Sequence, residues 1–187
     1  MPQGDFAQAA YVVNTRFRIY DDRMPDRPVP VVRIREATDA DGPRLIALIN
    51  TAFSVETFLE GTRTDEERLN ATMRNGTILT AEDDAGQLLA CVFYQVRGSR
   101  GYLGQLAVDP AFQGRGLARL IFAAAEDRLR AAGCTTADIV VLNLRPELLP
   151  IYRRWGYMES GIDEDFRPTR QLAPGFTCHG IQMSRQL

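Results

Sequence analysis

The sequence predicts a mixed α/β domain, a sheet flanked by helices, and three observations carry that expectation. Apolar residues alternate as in strands in some segments and recur at helical spacing in others, and the two kinds of segment follow one another along the chain. An apolar strand, Tyr102 to Val108, passes through Asp109-Pro110 and a glycine-rich turn directly into an amphipathic helix. The 187 residues are 45% hydrophobic, enough to bury a sizeable core without disulfides or a metal.

The elements are expected in this order. Residues 1–30 form an N-terminal extension: Ala9 to Tyr20 alternates partially, as a strand does, and Asp22 to Pro30 is linker-like with its three prolines. An added edge strand, a dimer arm and upstream translated sequence are the alternatives, with Met24 as an alternative start. Residues 31–187 form the domain. Ile34 to Thr38 opens it as a strand, and Thr38 caps a helix with Asp41 as its return partner and Leu45, Leu48, Ile49 and Ala52 as its apolar face. Thr64 and Glu67 make a second capping box, opening a helix through Leu69 and Met73 that Gly76 ends. Thr77–Ala81 and Gln87–Val96 pair as a hairpin around Asp83-Asp84-Ala85-Gly86. After the strand Tyr102–Val108, the residues Ala118, Ile121, Phe122, Ala125 and Leu129 give the next helix its buried stripe. Glu126, Asp127, Arg128 and Arg130 are assigned mostly to its solvent side. Ala137–Leu144 reads as a buried strand, then comes a short helix carrying Tyr152, and two strands close the domain, the last reaching Met183. Pro150 implies that this short helix is kinked or starts late.

Composition narrows the function. A net charge of −2 and a pI near 5.5 argue against a nucleic-acid-binding surface. All 22 basic residues are arginine, so no lysine is present to be self-modified. Cys91, Cys134 and Cys178 are odd in number and lack metal or redox spacing, which reads as free thiols in a reducing cytoplasm. His179 is the only histidine, so histidine-rich metal sites are excluded, and no metal is expected. No apolar run approaches membrane-spanning length, and no secretory signal opens the chain.

Gln113-Gly114-Arg115-Gly116-Leu117-Ala118 is the segment most suggestive of chemistry. Gly116 lets backbone approach a ligand without a Cβ, and the first N–H groups of a helix have no internal partners. A diphosphate there would satisfy those donors and face the positive end of the helix dipole. An ordinary tight turn is the bland alternative. A nucleotide-triphosphate loop would need Gly-Lys-Ser/Thr, which is missing, and the dinucleotide fingerprint would need a third glycine.

The Gln-x-x-Gly-x-Ala pattern after a strand ending Val-Asp-Pro resembles the coenzyme A pyrophosphate loop of the GNAT superfamily of acyl-CoA-dependent N-acyltransferases. Arg145-Pro146-Glu147-Leu148 through Tyr152 to Gly156-Tyr157 resembles that superfamily's later motif, in a form similar to a bacterial branch. The resemblance spans roughly Val31 to Leu187 and implies the GNAT fold: a mostly antiparallel sheet splayed between its fourth and fifth core strands. It implies acetyl-CoA as co-substrate, with cofactor contacts at Leu106, Ala107, Val108, Gln113, Gly114, Arg115, Gly116, Leu117, Ala118 and Arg119. It implies direct attack by an amine in a ternary complex, a backbone oxyanion donor near Leu106, and Tyr152 as general acid toward the leaving thiolate. Two positions depart from the pattern. Val140 stands where a glutamate is frequent and Arg145 where asparagine is, so no general base transfers. Arg145 is open to three readings: a coenzyme phosphate, a substrate carboxylate, or solvent. Glu56 and Glu60, between the two early helices, and His179, on the last strand, are acceptor-side candidates, with solvated carboxylates and a structural histidine as the bland alternatives. The acceptor expected is a small-molecule primary amine, the alternatives being a protein N-terminus or, without turnover, a coenzyme-binding regulatory domain. A homodimer through the extension is the partner considered.

Overall fold

The computed structural model describes residues 30–187. The elements are β1 (Arg33–Glu36), α1 (Gly42–Ala52), α2 (Glu66–Asn75), β2 (Thr77–Glu82), β3 (Leu88–Arg97), β4 (Arg100–Val108), α3 (Leu117–Ala131), β5 (Thr136–Leu142), α4 (Leu149–Arg154), β6 (Met158–Asp163) and β7 (Gly180–Gln186). This is the expected order, with strand bounds moved by a few residues. The segment Ala9–Tyr20 and the proline-rich linker lie outside the described residues.

One seven-stranded sheet runs β1-β2-β3-β4-β5-β7-β6, antiparallel at every pair except β4–β5. Strand alternation sends Leu79, Ala81, Val92 and Tyr94 to one face, where they pack with Ile121, Phe122, Ala125 and Leu129 of α3. Ile78, Cys91 and Phe93 go to the other face, against Leu45, Leu48 and Ile49 of α1 and Leu69 of α2. Fully burying an aliphatic or aromatic side chain of this kind is worth about 1.5–3 kcal/mol, so the two layers hold the sheet from both sides.

Local signals account for the helix ends. Thr38 N–H donates to Asp41 Oδ2 at 2.8 Å, as the capping pair requires, although the chain first makes a 3-10 turn over Asp39–Asp41 before α1 begins. The second cap is corrected by one residue. Asp65, not Thr64, accepts the Arg68 N–H at 2.9 Å, because Thr64 is buried and its own N–H is held by Asn50 Oδ1 at 2.9 Å. Gly76 ends α2 for reasons of space: a Cβ there would lie 2.5 Å from the Tyr94 carbonyl oxygen. Pro150 falls in the first turn of α4, where a missing N–H costs nothing, so the helix starts late.

The expectation that Glu126 faces solvent is overturned. It is 1% exposed, one helical turn beyond Phe122 and on the buried stripe, and its charge is met by Arg119 at 3.1 Å, Arg185 at 3.0 Å and the Tyr157 hydroxyl at 3.1 Å. Glu164 and Asp165 are exposed, while Asp163 closes β6. Cys91 and Cys134 are buried and Cys178 partly so, all as free thiols. Among the described residues no helix is long and apolar enough to cross a membrane.

Candidate active site

β4 has nine residues, yet only Arg100, Gly101 and Tyr102 pair with β5, opposite Thr136, Ala137 and Asp138. From Leu103 onward the two parallel strands diverge, and the side of β4 that faced β5 is left open. Within that stretch Gln105 takes φ +50°, in the left-handed region, and the pairing with β3 slips between Cys91↔Ala107 and Phe93↔Gly104. The bulge turns the Gln105-Leu106 peptide groups out of the regular ladder, which is how a strand re-aims a donor toward a ligand.

The turn after β4 is built from side-chain to backbone bonds. Asp109 accepts the Ala111 N–H at 2.9 Å, and Gln113 Nε2 donates back to the Val108 carbonyl at 3.2 Å. Gly114 and Gly116 then adopt φ +73° and +80°, left-handed values that side-chain-bearing residues avoid. Leu120 N–H is the first in α3 to find a turn acceptor, the Gly116 carbonyl at 3.0 Å. Among the described residues the N–H groups of 114–119 have none. Arg115 lies over the Phe112 ring at 5.0 Å and donates to Ala111 O at 3.1 Å, while its buried Nε has no partner. An orphaned guanidinium N–H beside a row of open backbone donors at the start of a 15-residue helix fits a diphosphate. Arg119 is differently engaged, paired with Glu126 and 5.4 Å from the Trp155 ring.

Tyr152, on α4, is set against this helix by rings: Phe122 at 5.8 Å, Trp155 at 5.3 Å and Tyr157 at 6.1 Å between centroids. Burial pushes its hydroxyl up to about 12; the nearby Tyr102 adds to the rise and Arg145 opposes it. The phenol therefore keeps its proton throughout the neutral range. Burial likewise pushes the Cys91 thiol up to about 12, which leaves it without thiolate character.

The acceptor-side candidates separate. Glu56 is buried and lies at the centre of a charged cluster: Arg145 reaches Oε1 at 3.3 Å, Arg170 pairs with Oε2, and Arg63 stands 3.9 Å from Oε2. The cluster ties the α1–α2 segment to the β5–α4 turn and the β6–β7 segment. Those segments also meet through the Leu59–Leu172 bridge and through Glu60 N–H donating to Gln171 O at 2.8 Å. The Glu60 side chain is exposed. His179 lies one residue before β7, not on it as expected, because its N–H is taken by Asn143 Oδ1 at 2.9 Å instead of a ladder partner. Arg170 and the bulge at Gln105 were not anticipated. An open groove lined by Glu36, Arg74, Tyr94 and Arg128 lies away from these groups, at the opposite end of α3.

A parallel pair of strands opened beside a helix N-terminus, a row of N–H groups without acceptors among the described residues and a phenol that keeps its proton together make up the candidate site. The chain belongs to the Acetyltransferase (GNAT) family, whose model matches residues 43–157. Mycothiol acetyltransferase of Propionibacterium freudenreichii subsp. shermanii is 27% identical over 175 residues, covering 89% of this chain and 54% of that protein. The chain thus spans about half the length of that relative. The crystal structure of ribosomal-protein-alanine N-acetyltransferase from Brucella melitensis superposes with TM-score 0.66 at 22% identity, over 82% of this chain and 99% of that one. A Bacillus subtilis acetyltransferase in complex with CoA superposes with TM-score 0.65 at 18% identity, over 83% and 99%.

Proposed function

We propose that this chain transfers the acetyl group of acetyl-CoA to a primary amine of a small molecule, by direct attack within a ternary complex. The observation that carries the reading is the row of unpaired N–H groups from Gly114 to Arg119 with the orphaned Arg115 Nε beside it, next to a strand opened at Tyr102. The row and Arg115 take the diphosphate, Gln113 fixes the turn, and the open edge of β4 at Leu106, Ala107 and Val108 pairs with the amide groups of the pantetheine arm. The reporting of CoA bound to a protein of the same fold supports this placement.

In the chemical step the amine nitrogen forms a bond to the thioester carbon, the C–S bond breaks, and the sulfur leaves with a proton. The backbone N–H at Leu106, re-aimed by the bulge, stabilises the carbonyl oxygen as it gains charge, a contribution typically of about a hundredfold or more in rate. Tyr152 donates its hydroxyl proton to the departing sulfur and regains one from the water that takes up the amine's proton, so it begins and ends the step as the protonated phenol. No side chain is assigned as general base: both oxygens of Glu56 are engaged by arginines, which suits a clamp, and the attacking amine loses its proton to water. Among the described residues no group of three or more His, Cys, Asp or Glu side chains is placed to hold a metal, and the steps above call for none.

Calorimetric titration with acetyl-CoA, followed by thiol-release assays on a panel of amines, amino acids, polyamines and peptides, tests this. Binding together with thiol release on small amines supports it. Absence of binding defeats it, and tight binding with no release on any amine leaves the non-catalytic coenzyme-binding role in its place.

A further inference from the structure

The cluster around Glu56 is out of charge balance. Among the described residues one buried carboxylate faces three guanidinium groups, and the one other acid in contact, Glu147, sits on the rim, where it takes the Arg145 Nε at 2.5 Å. Arg170 is the most enclosed of the three at 6% exposure. It reaches the Gly61 carbonyl at 3.5 Å with one terminal nitrogen and Glu56 with the other, and among the described residues its buried Nε has no hydrogen-bond partner. Burial, together with repulsion from Arg63 and Arg68, disfavours its charge despite the pull of Glu56. Arg63 stacks over the Phe53 ring at 4.6 Å and touches Glu56 only at 3.9 Å, so its donors are largely uncommitted. Burying Arg170 with one N–H orphaned, beside two further guanidinium groups that are only partly exposed, is costly unless an anion completes the set.

The location relates this surplus to the transfer site. Arg145 stands in the turn leading into α4 and acts electrostatically on the Tyr152 hydroxyl, while Arg63 acts on Tyr102, the last residue of β4 paired with β5. The cluster therefore lies close to Tyr102 and Tyr152, where the two strands begin to part. It is assembled from the α1–α2, β5–α4 and β6–β7 segments, none of which supplies those donors.

We propose that Arg63, Arg145 and Arg170 form an anion subsite for the acceptor, so that the amine acetylated by this protein carries a carboxylate or phosphate group. The inference rests on the proposed acetyl transfer. A guanidinium fork pairs with either anion through two parallel N–H donors, and the orphaned Arg170 Nε supplies a further one. Glu56 holds the three cations in register and lowers their mutual repulsion, leaving the surplus for the substrate. A neutral amine has no group to set against that surplus, and an acceptor with a second cation in place of the anion is repelled by it.

The test uses matched amine pairs that differ only in the anion: amino acids against their amides, and an aminoalkyl phosphate against the corresponding amino alcohol. The expected result is a kcat/KM for the anionic member higher by about tenfold or more. In Arg63→Gln that preference should collapse, and in Arg63→Lys, which keeps the charge but loses the fork, it should return only in part; the carboxylate and phosphate arms decide which anion is preferred. Equal or better use of the neutral members overturns the proposal. Turnover is not the only readout. With acetyl-CoA saturating, so that its own phosphate-binding turn is filled, millimolar glutarate or inorganic phosphate should raise the melting temperature of the wild type and not of Arg63→Gln. If no amine is acetylated, the proposed enzymatic function fails, and the anion shift still decides the subsite: a shift absent from the wild type or unchanged in Arg63→Gln overturns it.

Discussion

The Tyr157 hydroxyl donates to Oε1 of Glu126 across 3.1 Å, and both side chains are shut off from water. The bond joins the Gly-Tyr end of the late motif to the middle of α3, the helix that follows the proposed coenzyme turn. Burial and the neighbouring Glu126 charge push the Tyr157 hydroxyl far above its ordinary range, so it keeps the proton that it donates to Glu126. Glu126→Ala would leave that hydroxyl orphaned and release Arg119 and Arg185. We expect a loss of about 2–4 kcal/mol in urea unfolding, with Tyr157→Phe costing less because Glu126 keeps both arginines. Equal, negligible losses would show that the network contributes nothing to stability.

Acid sensitivity should centre on the opposite edge of the sheet. Asp41 accepts from Arg35, from the Thr38 N–H and from Arg44, which hold its carboxyl far below the usual range against the effect of burial. For Glu82 burial works upward, but hydrogen bonds from Arg35 and Arg33 override it and the net shift is downward. Both groups have folded pKa values below their unfolded ones of about 3.9 and 4.3. Their contribution is therefore complete above the unfolded values and is lost as pH falls through them toward the folded ones. Melting temperature should drop steeply below about pH 5. Asp41→Asn should start lower by about 5 °C or more at pH 7 and show a shallower acid slope. An unchanged slope would assign acid denaturation to other carboxylates.

Gly116 is a direct probe of the coenzyme turn. At φ +80° a β-branched side chain is strained by about 1–3 kcal/mol, and the turn must deform to relieve it. Gly116→Val should lower acetyl-CoA affinity by at least about tenfold in calorimetry while far-ultraviolet circular dichroism stays native. Retained affinity would mean that the N–H row is not the phosphate site.

Tyr152→Phe keeps the ring contacts with Phe122, Trp155 and Tyr157 and removes only the hydroxyl. On an acceptor found by the amine panel, kcat should fall by about ten- to a hundredfold with the acetyl-CoA Kd nearly unchanged. Because the hydroxyl titrates at about 12, wild-type activity should show no alkaline loss traceable to Tyr152 between pH 7 and 10. A kcat unaffected by the substitution would reduce Tyr152 to a packing residue.

Much of the scaffold was legible because its signals are local. The stripe of Ile121, Phe122, Ala125 and Leu129, the Thr38–Asp41 pair and the glycine turn at 114–116 each lie within a few turns of chain. Glu126 was misread because its charge was weighed above its spacing, although the spacing put it on the buried stripe. The cap at Asp65 was missed because Thr64 offers the same chemistry one position earlier, and only the tertiary bond to Asn50 decides between them. The bulge at Gln105 leaves no mark in the sequence, since no glycine stands at the left-handed position. The arginine cluster joins residues 89 and 114 positions apart, and no periodicity reports such a distance.

Strand β7 lies between β5 and β6, pairing Thr136–Leu142 on one side and Met158–Asp163 on the other. A chain synthesised only as far as β6 therefore has no place in the sheet for that strand. The coenzyme half, from β4 through α3, can assemble early on contacts already made, whereas Arg170 and the strand that anchors its segment arrive last. In the proposed site, then, the residues assigned to the coenzyme leave the ribosome before Arg170, the last of those assigned to the acceptor.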